Sequence, residues 1–378
     1  MTRRALALTL IPATFALAAC GGNADDTKSA DGKGPITVTA NDSSCEVGRS
    51  EAPAGQIEFT VSNKGTKINE FYVYAEGDRI MGEVENIAPG LTRKFLVEVA
   101  EPGKYETACK PGMVGKGIRS PFTVTGASAA PQTDDAKINA ATASYARYVA
   151  SQSDALLART TEFVGLVKAG KVDEAKTLYP VARSYWERIE PVAEGLGDLD
   201  PKIDGREDVV EEGMKFTGYH RLEQDLWVKG LQADSNAIAD QLLADVTTIV
   251  TEAKKVKFNG LQLANGSKAL LDEMATGKIT GEEERYSHTD LWDFAANWEG
   301  SKGAIAALRP VLEERDAALV ASYDKRAAAL DALVAKHQKG DGYQLYTELT
   351  PIELRALSDA LDAVAEDVSK VAGVVAGK

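Results

Sequence analysis

Residues 121–149 read PFTVTGASAAPQTDDAKINAATASYARYV, and the pattern of the chain changes inside this stretch. Up to Thr125 apolar and polar residues alternate, the period of a strand with one buried face. From Lys137 the apolar residues recur every three to four positions, the period of a helix. Between them lies GASAAPQTDDA (126–136), small, polar and interrupted by Pro131, which gives a linker over residues 127–136.

Towards the N-terminus the alternation persists in short runs: ITVTA, QIEFTVSN, EFYVYAE, LTRKFLVEVA and KYETAC. They are rich in β-branched and aromatic residues and separated by Gly, Pro, Asn and Asp, which predicts a small antiparallel β-sandwich over residues 34–126. Towards the C-terminus helical periodicity predicts helices near 137–168, 172–194, 207–229, 235–257, 289–307, 313–337 and 351–375. Thr350-Pro351-Ile352-Glu353 forms a capping box with proline in the first turn, a start signal for the last of these. The expected fold class is a multidomain β + α chain, in which the β-sandwich is followed by an all-α antiparallel helical bundle over 137–378.

The first residues have another purpose. Arg3 and Arg4 precede an apolar run from Ala5 to Ala18, shorter than the ~20 residues a spanning helix needs. This is the pattern of an export signal, residues 1–19. The run ends in Leu17-Ala18-Ala19-Cys20-Gly21, which resembles a lipobox and makes Cys20 the lipidation site. Residues 20–33 then read as a flexible tether. The expected location is exported, on the outer face of the cytoplasmic membrane and anchored to it by lipid. The formal charge of −14 excludes nucleic acid as a natural partner, because phosphate binding needs clustered Lys and Arg. Cations or basic surfaces suit such a chain. Cys45 and Cys109 remain, and two readings stay open for them: a disulfide in an oxidising compartment, or free thiols.

Only three histidines occur in the chain, and one lies in GYHRLEQDLW (218–227). His220 and Glu223, three apart, share one face of a helix. Glu187 and Glu190 in SYWERIEPVAE repeat that spacing, and Asp204 lies in the acidic stretch between. Helical bundles build metal sites from Glu and Glu/His pairs projecting inward. One imidazole among carboxylates suits iron, manganese or Zn2+, and a single histidine favours one open site. A structural His–Glu contact accounts for the same spacing, whereas zinc-protease chemistry lacks its second imidazole. In ERYSHTDLWDF, Thr289 reads as a helix cap with Asp290 in the first turn, and Glu284 precedes them. His337 reads as solvent-facing.

The stretch GYHRLE resembles the G-x-H-x-x-E signature of the imelysin, or M75 peptidase-like, proteins. YWERIEPVAE, DLDPKIDGRE and YSHTDLWDFAANWEG are similar to the EfeO branch of that family. The resemblance implies a cupredoxin-like β-domain before the helical one. It also implies extracytoplasmic binding of iron (Fe2+/Fe3+), with a membrane iron permease and a dye-decolourising haem peroxidase as partners. In the helical domain it implies His220, Glu223, Glu187, Glu190, Asp204 and, by proximity, Glu284 as metal ligands.

In the β-domain the resemblance implies Cys45, Glu70 and Cys109 as ligands with Met113 nearby, and copper as the possible occupant. A blue-copper site needs two histidines, and residues 34–126 contain none. Glu98, Glu101 and Glu106 offer a further cation site there. The function expected is capture of iron and its transfer to the permease. The alternatives are a metal-dependent peptidase and an acidic-polysaccharide-binding protein.

Overall fold

The structure is a computed structural model that describes residues 34–127, 135–196, 199–208 and 215–377. The export signal, the tether with Cys20 and most of the linker lie outside the described residues. Nine strands make the sandwich: β1 (Ile36–Ala40), β2 (Cys45–Val47), β3 (Glu51–Pro53), β4 (Gly55–Asn63), β5 (Asn69–Tyr74), β6 (Ile80–Ile87), β7 (Thr92–Val99), β8 (Gly103–Cys109) and β9 (Ile118–Thr125). One sheet has the order β2-β1-β4-β7 and the other β3-β9-β8-β5-β6.

The alternation expected from sequence is plain in β4, where Ile57, Phe59, Val61 and Asn63 point inward. Phe59 packs against Phe71, Phe95 and Phe122 with ring centroids 5.0, 6.1 and 5.8 Å away. The sheets are mixed rather than wholly antiparallel, since β1 pairs with β4 and β3 with β9 in parallel. A parallel pair needs a crossover between its strands. For β1 and β4 the short β2 and β3 supply it, one in each sheet.

The helical part contains α1 (Ala136–Lys168), α2 (Val172–Glu187), α3 (Glu190–Glu194), α4 (Leu199–Ile203) and α5 (Gly218–Gln224). A π-helical turn over Asp225–Lys229 continues α5. Then come α6 (Ser235–Ala253), α7 (Gly260–Thr276), α8 (Asp290–Arg315), α9 (Ala317–Lys336) and α10 (Pro351–Val375), with a two-stranded hairpin, β10 (Gln338–Lys339) and β11 (Gly342–Tyr343), before α10. No helix among the described residues is long and apolar enough to cross a membrane.

The Thr350 capping box forms as expected, with the Thr350 side chain and that of Glu353 each accepting from the other's backbone N–H. Other boundaries move for local reasons. The helix expected over 172–194 breaks at Arg188–Ile189, because Pro191 in the first turn of α3 has no N–H to continue the preceding ladder. Of the helix expected over 207–229, residues 209–214 lie outside the described residues, and α5 begins at Gly218, whose φ of 79° no helix interior accepts. Helix α7 was not expected. Its start was nonetheless written in Asn259-x-x-Gln262, which forms a reciprocal capping box. Helix α8 runs through Pro310 and absorbs the gap expected at 308–312. His337 is buried rather than solvent-facing, because the hairpin folds back and Gln344 N donates to the His337 carbonyl at 3.0 Å.

The sandwich and the helices pack as one unit. Helix α7 lies against β6 and β7. Leu96 of β7 joins the helical core, and Asn265 Nδ2 donates to the Leu96 carbonyl at 2.8 Å.

Cys45 and Cys109 form a disulfide that ties β2 of one sheet to β8 of the other across 64 residues. A loop of that length stabilises the fold by about 4 kcal/mol through the entropy of the unfolded chain. Cys45→Ser is therefore expected to lower the melting temperature measured by calorimetry, with reductant reproducing the shift in the wild type. An unchanged melting temperature in both would contradict this.

Candidate metal centre

Helix α2 presents Tyr179, Arg183, Trp186 and Glu187 inward along one face. Arg183 is fully buried, which an unpaired guanidinium does not tolerate. It is surrounded by acids. Its Nη1 donates to Asp204 and its Nη2 to Glu187, with Glu283 Oε1 at 3.3 Å from Nη2. Its Nε faces Glu284, and Asp293 Oδ1 lies 3.6 Å away. Trp186 Nε1 donates to the other oxygen of Asp204 at 2.9 Å.

A second buried cation, Lys278, stands between Glu187 Oε2 at 3.4 Å and Glu190, Glu273 and Glu283 at 3.5 Å each. Asn297 Nδ2 from α8 lies 3.0 Å from both Glu187 Oε2 and Glu190 Oε2. The break between α2 and α3 thus leaves both glutamates facing α8.

Helix α5 supplies the imidazole. His220 Nδ1 lies 3.2 Å from Glu223 Oε2, as their spacing predicted. Its Nε2 points the other way, 3.5 Å from Asp204 Oδ1 and 3.4 Å from Glu283 Oε1, and is buried without a hydrogen-bond partner. Glu223 Oε1 is fixed by the backbone N–H groups of Tyr286 and Ser287 at 2.9 and 2.7 Å. Glu284 accepts from Ser287 Oγ at 2.9 Å and from Tyr179 OH at 3.2 Å.

Two ligand-like groups result, Asp204–His220–Glu283 and His220–Glu223–Glu284, with donor atoms in each within 4.8 Å of one another. His220 belongs to both. Of the residues expected from sequence, Glu187 and Glu190 border the centre as partners of Arg183 and Lys278 rather than in these groups. Glu283, Asp293, Arg183 and Lys278 were missed. Arg183 had a signal, since it precedes Glu187 by one turn on the same face.

Acids outnumber cations here, and protonation reflects it. Burial disfavours charge on Glu283, but Lys278, His220 and Arg206 hold it well below the usual carboxylate range. Burial and the nearby Glu223 push Glu284 up to about 8. Burial also raises Asp290 to about 6, and Asp293 and Glu190 well above their ordinary values. For His220, burial and Arg183 oppose the charged form, yet Glu223, Glu283 and Glu284 prevail and lift it to about 9. The donor set is hard oxygen with one nitrogen, and it holds orphaned buried acceptors on Asp293 and Asn297. That chemistry fits a di- or trivalent cation.

The β-domain set does not assemble. Cys45 and Cys109 are bonded to each other, so neither offers a thiolate. Strand parity separates them from Glu70. Phe71, the register partner of Cys109, points into the sandwich core with it, so Glu70 projects from the opposite face, where Tyr72 OH donates to it at 2.9 Å. Glu70 and Met113 instead line a cleft facing the helices. Glu106 pairs with Arg119 at 3.0 Å. Thr289 caps α8 without a side-chain bond to the helix; its hydroxyl meets Ser287 Oγ at 2.9 Å. Asp290 lies in the first turn of α8 and accepts from Glu284 N at 3.1 Å.

Gly218 sets the imidazole's position. A Cβ there would lie 2.1 Å from the Ile203 carbonyl oxygen, and φ is positive. Gly218→Ala is expected to cost at least about 2 kcal/mol in urea unfolding; a wild-type midpoint would refute that account.

The raised groups also fix a pH dependence. His220 (about 9), Glu284 (about 8), Glu70 (about 7) and Asp200 (about 7) bind protons more tightly folded than unfolded. The stability each contributes is complete below its unfolded pKa and is lost as pH rises through the folded value. The depressed Glu223 and Glu283 act oppositely, but only in acid below about pH 4.5. The melting temperature of metal-free protein should therefore fall between about pH 5 and about pH 9, and a flat or rising curve would contradict the assignment.

The Imelysin family model matches residues 141–371, and the model of the Cupredoxin-like domain matches residues 7–124. The chain is 36% identical over 349 residues to the iron uptake system component EfeO of Escherichia coli O157:H7, covering 90% of this chain and 91% of that protein. Proteins of the same name from Escherichia coli K12 and Shigella flexneri are 35% identical with the same coverage. With a helical domain that carries G-x-H-x-x-E on α5 behind a β-sandwich, the chain belongs to the imelysin family, in its EfeO branch.

Proposed function

We propose that this protein captures iron outside the cytoplasmic membrane as cargo of an iron uptake system and passes it to a membrane permease. The observation that carries the reading is the pair of ligand-like groups sharing His220, one of whose nitrogens has no hydrogen-bond partner. His220, Glu223 and Glu284 are the proposed ligands on one side, with Asp204 and Glu283 on the other. Glu187 and Glu190 hold the balancing cations. The name of the similar proteins, iron uptake system components, agrees with this chemistry.

Carboxylate oxygens with a single imidazole accept ferrous or ferric iron, and Zn2+ competes for the same donors. Copper at the β-domain loses its basis with the thiolates. A dye-decolourising haem peroxidase is the proposed redox partner, and lipid on Cys20 the proposed anchor. Hydrolysis is the weaker use of this site. Glu223 is held by two backbone N–H groups and Glu284 by two hydroxyls, so neither of the carboxylates grouped with His220 on that side is free to act as a general base beside a metal-bound water.

Isothermal titration of metal-free protein with anaerobic Fe(II), Fe(III) citrate, Zn(II) and Cu(II) tests the proposal. His220→Ala and Glu223→Ala are each expected to weaken iron binding by at least about 100-fold, with Cys45→Ser leaving it unchanged. Unaltered binding in the His220 variant would sink this site, and metal-dependent peptide cleavage would favour the hydrolase.

A further inference from the structure

A cleft of about 650 Å³ runs between the sandwich and the helices. Glu70, Lys110 and Met113 line its sandwich side, and Asp200, Arg206 and Glu273 its helical side. Its lining spans the range of exposure: Asp208 and Glu282 are exposed, Asp200 and Glu273 are half-buried, and Asp204 and Glu283 are buried. Those last two flank His220 Nε2, the nitrogen that is 2% exposed as part of its residue and lacks a partner. The cleft therefore leads from solvent to a nitrogen that has carboxylates beside it and no hydrogen bond, along walls on which carboxylates outnumber cations.

One side chain stands in the way. Arg206 Nη1 donates to Glu283 Oε2 at 2.9 Å, covering the oxygen opposite the one that faces His220. Its Nε is 3.9 Å from Asp208 Oδ1 at the rim, and its side chain is 24% exposed. Arg183, by contrast, is fully buried among its acids. Arg206 can leave Glu283 and remain paired, by turning towards Asp208. The turn before Arg206 packs closely on α4, since a Cβ on Gly205 would lie 2.3 Å from the Pro201 carbonyl oxygen.

Building on the proposed iron reading, we propose that this interdomain cleft is the cation's route to the centre and that Arg206 is its gate. Asp200 and Glu273 steer the ion by their field rather than bind it. Arg206 is a positioning residue and not a ligand. The sandwich contributes the opposite wall of the route in place of a metal site of its own.

Stopped-flow tryptophan fluorescence with Mn(II), and with Fe(II) under anaerobic conditions, tests this, since Trp186 is hydrogen-bonded to Asp204. Arg206→Gln and Arg206→Lys should both raise association and dissociation rates by about fivefold or more, because both lose the guanidinium whose Nη1 holds Glu283 Oε2. The double variant Asp200→Asn/Glu273→Gln should slow association about two- to fivefold at low salt and flatten its salt dependence. Titrated stoichiometry should stay at the wild-type value throughout. Wild-type rates in both Arg206 variants would overturn the gate. So would an effect of Arg206→Gln absent from Arg206→Lys, which would reduce the residue to its charge. Loss of a bound ion in the double variant would make the walls a site and overturn the route. If wild-type protein bound neither ion, the iron reading itself would fall, a result distinct from unchanged kinetics.

Discussion

Everything in the helical half is organised by the need to keep a surplus of carboxylates out of water. Arg183 alone faces Asp204, Glu187, Glu283, Glu284 and Asp293, and Lys278 faces Glu187, Glu190, Glu273 and Glu283. Removing one partner of a buried ion pair costs about 3–5 kcal/mol, while the intact pair contributes little net stability. Such an arrangement is a poor way to hold a fold together. It leaves a buried cluster in which carboxylates outnumber the two cations that balance them. The protons favoured on Glu284 and Asp293 reflect the same surplus, since burial makes a neutral acid cheaper than an unmatched anion.

Much of this architecture was legible from local pattern. Alternation in β4, the capping box at Thr350 and the His220–Glu223 spacing each depend on residues a few positions apart, and each appears as read. What was missed depends on distant neighbours. Helix α7 carries Asn265 and Gly266, which weaken any local helical signal. Gly266 sits where a Cβ would come 3.4 Å from Pro191, and Asn265 reaches the β7 backbone, so tertiary contacts outweigh propensity. The cysteine pair illustrates the same limit. Sequence placed Cys45, Glu70 and Cys109 in one domain, but which sheet face each occupies depends on register, and one residue of parity sends Glu70 away from the sulfurs. The centre itself was half legible: His220, Glu223, Asp204 and Glu284 by motif and resemblance, Glu283 and Arg183 only once the folded chain brought 183, 204 and 283 together.

The sandwich keeps the outline of a cupredoxin-like domain while lacking the ligands of a copper centre. Its buried face is sealed by phenylalanines and by a disulfide. Acidic and phenolic side chains gather on the outer face of β5 and β6, where Glu70, Tyr72 and Glu83 look towards the helices. Burial raises Glu83 to about 8, again first through loss of water and then through Glu70. Polar side chains on a strand face are inexpensive only where solvent reaches them or a partner surface completes them.

Leu96 carries a last consequence. It belongs to a strand of one domain and to the hydrophobic core of the other, and its carbonyl is held by Asn265. Neither half can be lifted out cleanly: the sandwich alone would carry a bare leucine on its flank, and the bundle alone would expose the seat that leucine fills. A lineage that discarded the sandwich would have to resurface α7 as it did so, and an engineer transplanting the bundle inherits the same obligation.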